Sequence, residues 1–204
     1  RLVWYLAMEE YLAKHVEEDT FVTWVVSPTV IFGRHQVMEA EVNVDFCRAN
    51  GIAMYRRKSG GGCVYADEGN LMMSMISPNK HSEVVFQQFL DKISDVLRHW
   101  GLPAVKSEHN DIMVEGMKVS GNACYALSTG TIVHGTMLVD VDLDMLQQAI
   151  TPSKEKLAKH GVKSVRQRVA NLARLVTNPQ LRTSTLVANR LSDALCLYQR
   201  ELTE

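Results

Sequence analysis

Cysteine and proline are scarce in this sequence, four and five residues among 204. The cysteines, Cys47, Cys63, Cys124 and Cys196, stand far apart. Neither zinc-ligand spacing nor a disulfide framework fits them, so reduced thiols in a cytosol-like, cytoplasmic setting are expected. No apolar run reaches the length of a membrane span, and no secretory signal opens the chain. Excess charge is missing as well: 22 Lys and Arg stand against 23 Asp and Glu, a formal net charge of −1. A whole-protein field suited to nucleic acid is thereby excluded. No repeat and no linker long enough to divide the chain is visible, so a single domain over residues 1–204 is expected. The first residue is Arg1 rather than Met, so the chain is expected to begin inside a longer natural one.

Hydrophobic residues make up 46% of the sequence, enough for one full core. Residues 2–16 carry apolar side chains at helical spacing. Phe21 to Val26, Thr29 to Gly33, Ile52 to Tyr55, Cys63 to Tyr65 and Leu71 to Ile76 read as strands, with a short helix near 43–50. Ser82 to Trp100 is the clearest helix: Ser82 is expected to cap it, and Gly101 and Pro103 to stop it. Asp111–Val114 and Met117–Ser120 form a strand pair about the Glu115-Gly116 turn, and Thr131 to Val139 is a further strand. Helices are expected over about 142–150, 153–160 and 184–202. Strands and helices mix without βαβ alternation, which indicates an α+β fold with a mixed, largely antiparallel sheet flanked by helices.

Arg56-Arg57-Lys58-Ser59-Gly60-Gly61-Gly62 is the segment richest in chemical meaning. Successive glycines leave backbone N–H groups unobstructed and admit φ values that other residues avoid, so the turn can wrap an anion. The three cations before it add positive charge, and arginine can grip an anion with paired bonds. Cys63-Val64 stands where a triphosphate P-loop requires Lys-Ser/Thr, which excludes that motif. On its own the loop fits a solvated hairpin equally well. Lys118 lies far downstream on a strand, followed by the small residues Ser120-Gly121-Asn122-Ala123. Alternation predicts Lys118 and Ser120 on one face, with Met117 and Val119 on the other.

Four blocks in order resemble the signatures of lipoate–protein ligases, within the biotin/lipoate ligase catalytic-domain superfamily. They are Arg56 to Asn70, Asn110-Asp111 with Lys118 to Ala123, His134-Gly135-Thr136-Met137-Leu138, and Val162 to Leu172. The resemblance implies ATP-dependent activation of lipoate to lipoyl-AMP, followed by transfer to a lysine of a lipoyl-domain protein. The acceptors implied are 2-oxoacid dehydrogenase E2 subunits and the glycine cleavage H protein, with Mg²⁺ as cofactor and lipoic acid as substrate. By the same resemblance Arg57, Ser59, Gly60, Gly61 and Gly62 line the acyl-adenylate pocket, and Cys63, Val64 and Tyr65 continue its wall. Lys118 is implied to touch both the acyl carbonyl and the α-phosphate as the catalytic residue. Asn110 and Asp111 are implied to contact the nucleotide or Mg²⁺, with Asp111 the metal ligand, and Ser120, Gly121, His134 and Thr136 complete the site.

Trp24, Val30 and Phe32 are placed as the channel for the acyl tail, while Met72 and Met73 read as core. His134 is chemically able to act as a base, although its strand position favours a structural role; His35 is a weaker candidate. The sequence leaves no room for the C-terminal accessory domain of many such ligases, so a separate accessory protein or a preformed acyl donor is a further expectation. Three rival readings remain. An acyl-transferase using a cysteine thioester needs a nucleophile in the loop before Lys118, and Val105 to Asp111 contains none. A biotin ligase needs a Gly-Arg-Gly-Arg loop, which is absent. A non-catalytic lipoyl-binding partner would not require both Arg57 and Lys118.

Overall fold

The computed structural model describes residues 2–150 and 168–199. Helix α1 (Leu2–His15) leads into β1 (Thr20–Trp24) and β2 (Thr29–Phe32). Two short helices, α2 (Met38–Glu41) and α3 (Val44–Ala49), precede β3 (Ala53–Arg56), β4 (Val64–Ala66) and β5 (Asn70–Ser77). The long helix α4 (Ser82–His99) is followed by β6 (Ala104–Lys106), β7 (Asp111–Val114), β8 (Met117–Ala126) and β9 (Thr131–Leu138). Helices α5 (Leu143–Ala149), α6 (Leu172–Leu175) and α7 (Ser184–Leu195) complete the described chain. The helix expected over 153–160 lies outside the described residues.

A six-stranded antiparallel sheet runs β1-β5-β9-β8-β7-β6. A smaller sheet, β3-β2-β4, pairs β2 parallel to β3 and antiparallel to β4. The α+β, largely antiparallel architecture read from the sequence is the one observed. The main core fills the space between one face of the large sheet and α4, α6 and α7, around Phe89, Ile93, Leu97, Ile112, Val133 and Met137. A second core gathers Val30, Phe32, Tyr65, Leu138 and Val141 on the outer side of the small sheet. A third, with Leu2, Trp24, Ile31, Ala66 and Met72, joins the small sheet to the open face of the large one beneath α1.

Local chemistry accounts for most boundaries. Asn43 accepts from the Phe46 N–H at 3.2 Å, and Asp142 from those of Asp144 and Met145 at 3.0 and 2.9 Å, which starts α3 and α5. Gly101, at φ +85°, ends α4. The expected Ser82 cap is wrong by one residue. His81 is the N-cap and makes no side-chain cap bond, and Asn79 Oδ1 accepts from the His81 N–H at 2.9 Å in the entry turn. β8 continues to Ala126 rather than stopping at Ser120, since Gly121 and Ala123 still pair with Thr136 and His134. β1 stops at Trp24, and α7 stops at Leu195, where Cys196 turns extended without any glycine or proline to announce it.

Candidate active site

The strand register defines the floor of the site. Directly opposed residues of antiparallel strands point to the same face. The pairs Trp24↔Met72, Met72↔Thr136, Thr136↔Gly121 and Gly121↔Asp111 therefore form one row across the open face. Val22, Ser74, His134 and Ala123 form the next row. Between β7 and β8 the register steps from Ile112↔Ser120 to Met113↔Lys118, leaving Val119 as a bulge. The bulge overturns the simple alternation. Lys118 joins the open face, whereas Ser120 is fully buried on the core side with Ile112.

Lys118 lies across Gly121, where an added Cβ would come within 2.8 Å of its Nζ. Its ammonium pairs with Asp111 Oδ1 at 2.8 Å. The backbone of Lys118 is fixed from its other edge: its N–H donates to the Arg168 carbonyl at 2.9 Å, and its carbonyl accepts from Ala170 at 3.0 Å. Thr136 braces Gly121, its Oγ1 lying 3.4 Å from both the N and O of that glycine.

The glycine loop forms the roof. It joins β3 to β4, which flank β2, and so passes over the end of β2 at Gly33. A Cβ at Gly33 would sit 2.4 Å from the Gly61 carbonyl oxygen, so only glycine allows this crossing. The Arg57 guanidinium is buried inside the turn. It donates to Ile31 O, Gly60 O and Gly62 O at 2.7–3.1 Å, and to Ser59 Oγ at 3.0 Å. Burial lowers its pKa and the neighbouring Cys63 thiol opposes that shift, but an arginine starts high enough to stay charged. Arg56 stacks 4.5 Å over the Phe32 ring and donates to the carbonyls of Gly33, Arg34 and Gln36. Lys58 pairs with Glu10 at 2.6 Å.

The expected direct grip of these cations on an anion is therefore replaced by an indirect arrangement. The arginines hold carbonyls inward, and among the described residues no acceptor meets the exposed N–H groups of Gly60, Gly61 or Gly62. A loop whose carbonyls are bound to a buried cation and whose exposed glycines keep N–H groups without an acceptor can cradle an anion. Its position above the floor is set by Gly61, which packs toward Ala123, two residues along β8 from Gly121.

A polar chain ties roof to floor. Ser59 Oγ lies 2.7 Å from His134 Nε2, and His134 Nδ1 lies 3.2 Å from Glu9 Oε2. Ser74 Oγ donates to the other oxygen of Glu9. With Glu9 at 3% and Ser59 at 2% exposure, this chain is shielded from water. One proton arrangement satisfies every member. His134 donates from Nδ1 to the carboxylate, and its bare Nε2 accepts the Ser59 hydroxyl, whose oxygen accepts from Arg57. Both ring nitrogens of His134 are thus engaged in the resting chain, in keeping with the structural role its strand position suggests.

Other predicted residues fall elsewhere. Tyr65, 2% exposed, turns into the second core opposite Val30, and Cys63 packs beside it. Burial and the carboxylate of Asp67 push the Tyr65 hydroxyl pKa well up. Val64 opposes Ile31 on the inner side. Val30 and Phe32 belong to the second core, so Trp24 shares its cluster with Ile31 and Met72 rather than with them. Met73 and Met72 are both core as expected, Met73 in the main cluster and Met72 in the third, where it also lies on the floor row. Cys124 faces the main core with Val133, on the far side of the sheet from Lys118, and burial raises its pKa. No disulfide joins the four cysteines. Among the described residues no group of three His, Cys, Asp or Glu could hold a metal, and no helix is long and apolar enough to cross a membrane.

Against this geometry the comparisons are specific. Residues 3–195 match the family described as the lipoyl protein ligase A/B catalytic domain. The chain belongs to that family. It is 38% identical over 171 residues to the lipoate-protein ligase LplJ of Bacillus subtilis, covering 82% of this chain and 52% of that protein. It is 39% identical over 177 residues to lipoate–protein ligase 1 of Staphylococcus aureus, covering 85% of this chain and 54% of the relative. The chain thus spans about half the length of these curated relatives. A lipoate-protein ligase A structure bound with ATP superposes with a TM-score of 0.83 at 29% identity, covering 100% of this chain and 85% of that one. A Thermoplasma acidophilum lipoate protein ligase, described as bi-partite and studied with its E2 lipoyl domain, gives 0.81 at 30% identity, covering 98% and 82%.

Proposed function

We propose that this chain is the catalytic domain of a lipoate–protein ligase that joins lipoate to a lysine of a lipoyl domain through lipoyl-AMP. The observation that carries the reading is the convergence of two charge-binding elements on one face. Gly61, in a loop whose glycine N–H groups meet no acceptor among the described residues, packs toward Ala123, and the Lys118 ammonium lies over Gly121, two residues along β8.

In the first step a lipoate carboxylate oxygen attacks the α-phosphorus of ATP, and pyrophosphate leaves. In the second, a neutral lysine amine of the acceptor attacks the acyl carbon, the amide C–N bond forms, AMP leaves with the acyl C–O electron pair, and the surplus N–H proton passes to the departing phosphate or to solvent. Negative charge grows on the carbonyl oxygen while the phosphate keeps its own. An ammonium fixed between the two stabilises both, and one such donor contributes about 3–4 kcal/mol to the transition state. Gly121 admits that ammonium, and Asp111 orients it. Mg²⁺, if bound with the nucleotide, would offset phosphate charge; it is ordinarily held by one or two carboxylates plus phosphate oxygens, a role that suits Asp111.

The ATP-bound and bi-partite relatives support this reading. The cysteine-transferase alternative gains no support, since Cys124 lies behind the sheet. The test is intact-mass analysis of an apo lipoyl domain incubated with the protein, ATP, Mg²⁺ and lipoate, and in parallel with synthetic lipoyl-AMP. Product in both is expected. Product from lipoyl-AMP alone places activation outside these residues. Product in neither overturns the proposal.

A further inference from the structure

The Lys118–Asp111 pair sits at the point where β7 leaves the sheet. Asn110, just before Asp111, has φ +62°, a left-handed conformation that asparagine tolerates better than most residues. The turn before it is closed on Ser107, whose Oγ accepts from the N–H groups of His109 and Asp111. By register Asn110 would oppose Asn122 as the next ladder pair, but its backbone has turned away. The Asn122 side chain fills that gap: Nδ2 donates to the Asn110 carbonyl at 2.9 Å. Its Oδ1 accepts from Ser120 Oγ at 3.1 Å, which fixes which end of the amide faces Asn110. The amide lies over Gly135, where a Cβ would be 2.0 Å from Asn122 Oδ1.

We infer that Asn122 is a positioning residue for the Lys118–Asp111 pair, oriented by Ser120 and seated on Gly135; this rests on the ligase reading above. It touches neither member of the pair. By holding the Asn110 carbonyl it fixes the left-handed turn, and the turn aims the Asp111 carboxylate at Lys118. The bulge at Val119 completes the arrangement: it sends Lys118 to the open face while Ser120 remains on the core face to hold the amide. Ser120 thereby acquires a role other than ligand contact.

The experiment measures lipoyl-AMP-dependent transfer by Asn122→Ser and by the milder Ser120→Ala, each alone and in an Asp111→Asn background, with melting curves for all. Asn122→Ser should lower kcat about tenfold or more with KM for lipoyl-AMP little changed, since a catalytic group displaced by ~1 Å can cost up to about 100-fold. Ser120→Ala should show the same pattern with a smaller loss, so the inference stays testable if Asn122→Ser does not fold. In the Asp111→Asn background both changes should cost less than about twofold, because coupled residues are non-additive. A folded Asn122→Ser enzyme with wild-type kcat overturns the inference. So does an undiminished penalty in the Asp111→Asn background, or a loss confined to KM. Wild-type transfer by Lys118→Ala overturns the ligase assignment of the site, and this inference with it.

Discussion

Glu9 on the first helix and His134 on the ninth strand meet with Oε2 3.2 Å from Nδ1, although 125 positions separate them. The contact sets Nδ1 against the carboxylate and turns Nε2 toward Ser59. It joins the helix above the floor to the glycine loop. Glu9→Gln keeps the shape but sets an amide against Ser74 and His134. A loss of about 1–3 kcal/mol is expected, the cost of leaving a buried polar group unsatisfied. A thermal melt reads it, and kcat/KM should fall with it because the loop loses its anchor. An unchanged melting temperature would show that the chain contributes nothing to the fold.

Lys118→Ala should reduce transfer from lipoyl-AMP by about 100-fold or more, as removal of a charge-stabilising donor does. Lys118→Arg should not restore it. The ammonium already lies so close over Gly121 that an added Cβ would meet it at 2.8 Å, and the larger planar guanidinium does not reproduce its point-charge placement. Quenched-flow transfer assays on both variants check this.

Gly33→Ala places a methyl group 2.4 Å from the Gly61 oxygen. The loop must lift or β2 must shift, at about 1–3 kcal/mol for overpacking. Weaker ATP and lipoate binding is expected, by about tenfold if ~1.4 kcal/mol of that falls on the bound state. Calorimetric titration measures it directly.

Asp67 carries a pH signature. Burial raises its carboxyl pKa, while the N–H groups of Asp142 and Gly69 pull against that shift. With the folded value above the unfolded one, the folded state holds this proton more tightly. The group's stabilising contribution is present in acid and is lost as pH rises through the folded value. Asp67→Asn should remove that trend, so the difference in melting temperature between mildly acidic and neutral buffer changes sign or shrinks. An identical pH profile in the variant would refute this account.

Cys124→Ser and Cys63→Ser should each keep most of the transfer activity. Burial raises the thiol pKa at Cys47 and Cys124, so both should react slowly with iodoacetamide in the folded protein. Loss of activity in either serine variant would reopen the thioester reading.

The large elements were legible because their apolar character is strong: α4 carries Phe89, Ile93 and Leu97 on one stripe, β5 holds Leu71-Met72-Met73 and Met75-Ile76, and β9 holds Ile132-Val133 and Met137-Leu138. The cradle was legible from its glycines. Glu9 was not, although a signal existed: it stands within the α1 stripe of Leu2, Leu12 and Ala13, where a carboxylate needs a buried partner. The Val119 bulge was invisible because β-residue alternation has no marker for one extra residue, and it misplaced Ser120. The arginines read as an anion grip because a sequence does not show that main-chain carbonyls reach them first, those of the glycine loop and Ile31 for Arg57 and those of Gly33, Arg34 and Gln36 for Arg56. Val30 and Phe32 were misassigned for a related reason: β2 is buried on both sides, so apolar character does not tell which core a side chain joins.

The separation between Glu9 and His134 also bears on when this protein becomes competent. The first helix, the glycine turn and the ninth strand must all be in place before the polar chain closes, and each closure over so long a stretch costs loop entropy before any contact offsets it. Substrate affinity should then be the last property gained during refolding, trailing the recovery of helical signal. A nascent chain still lacking its ninth strand would hold a glycine turn without the histidine that ties it to the floor.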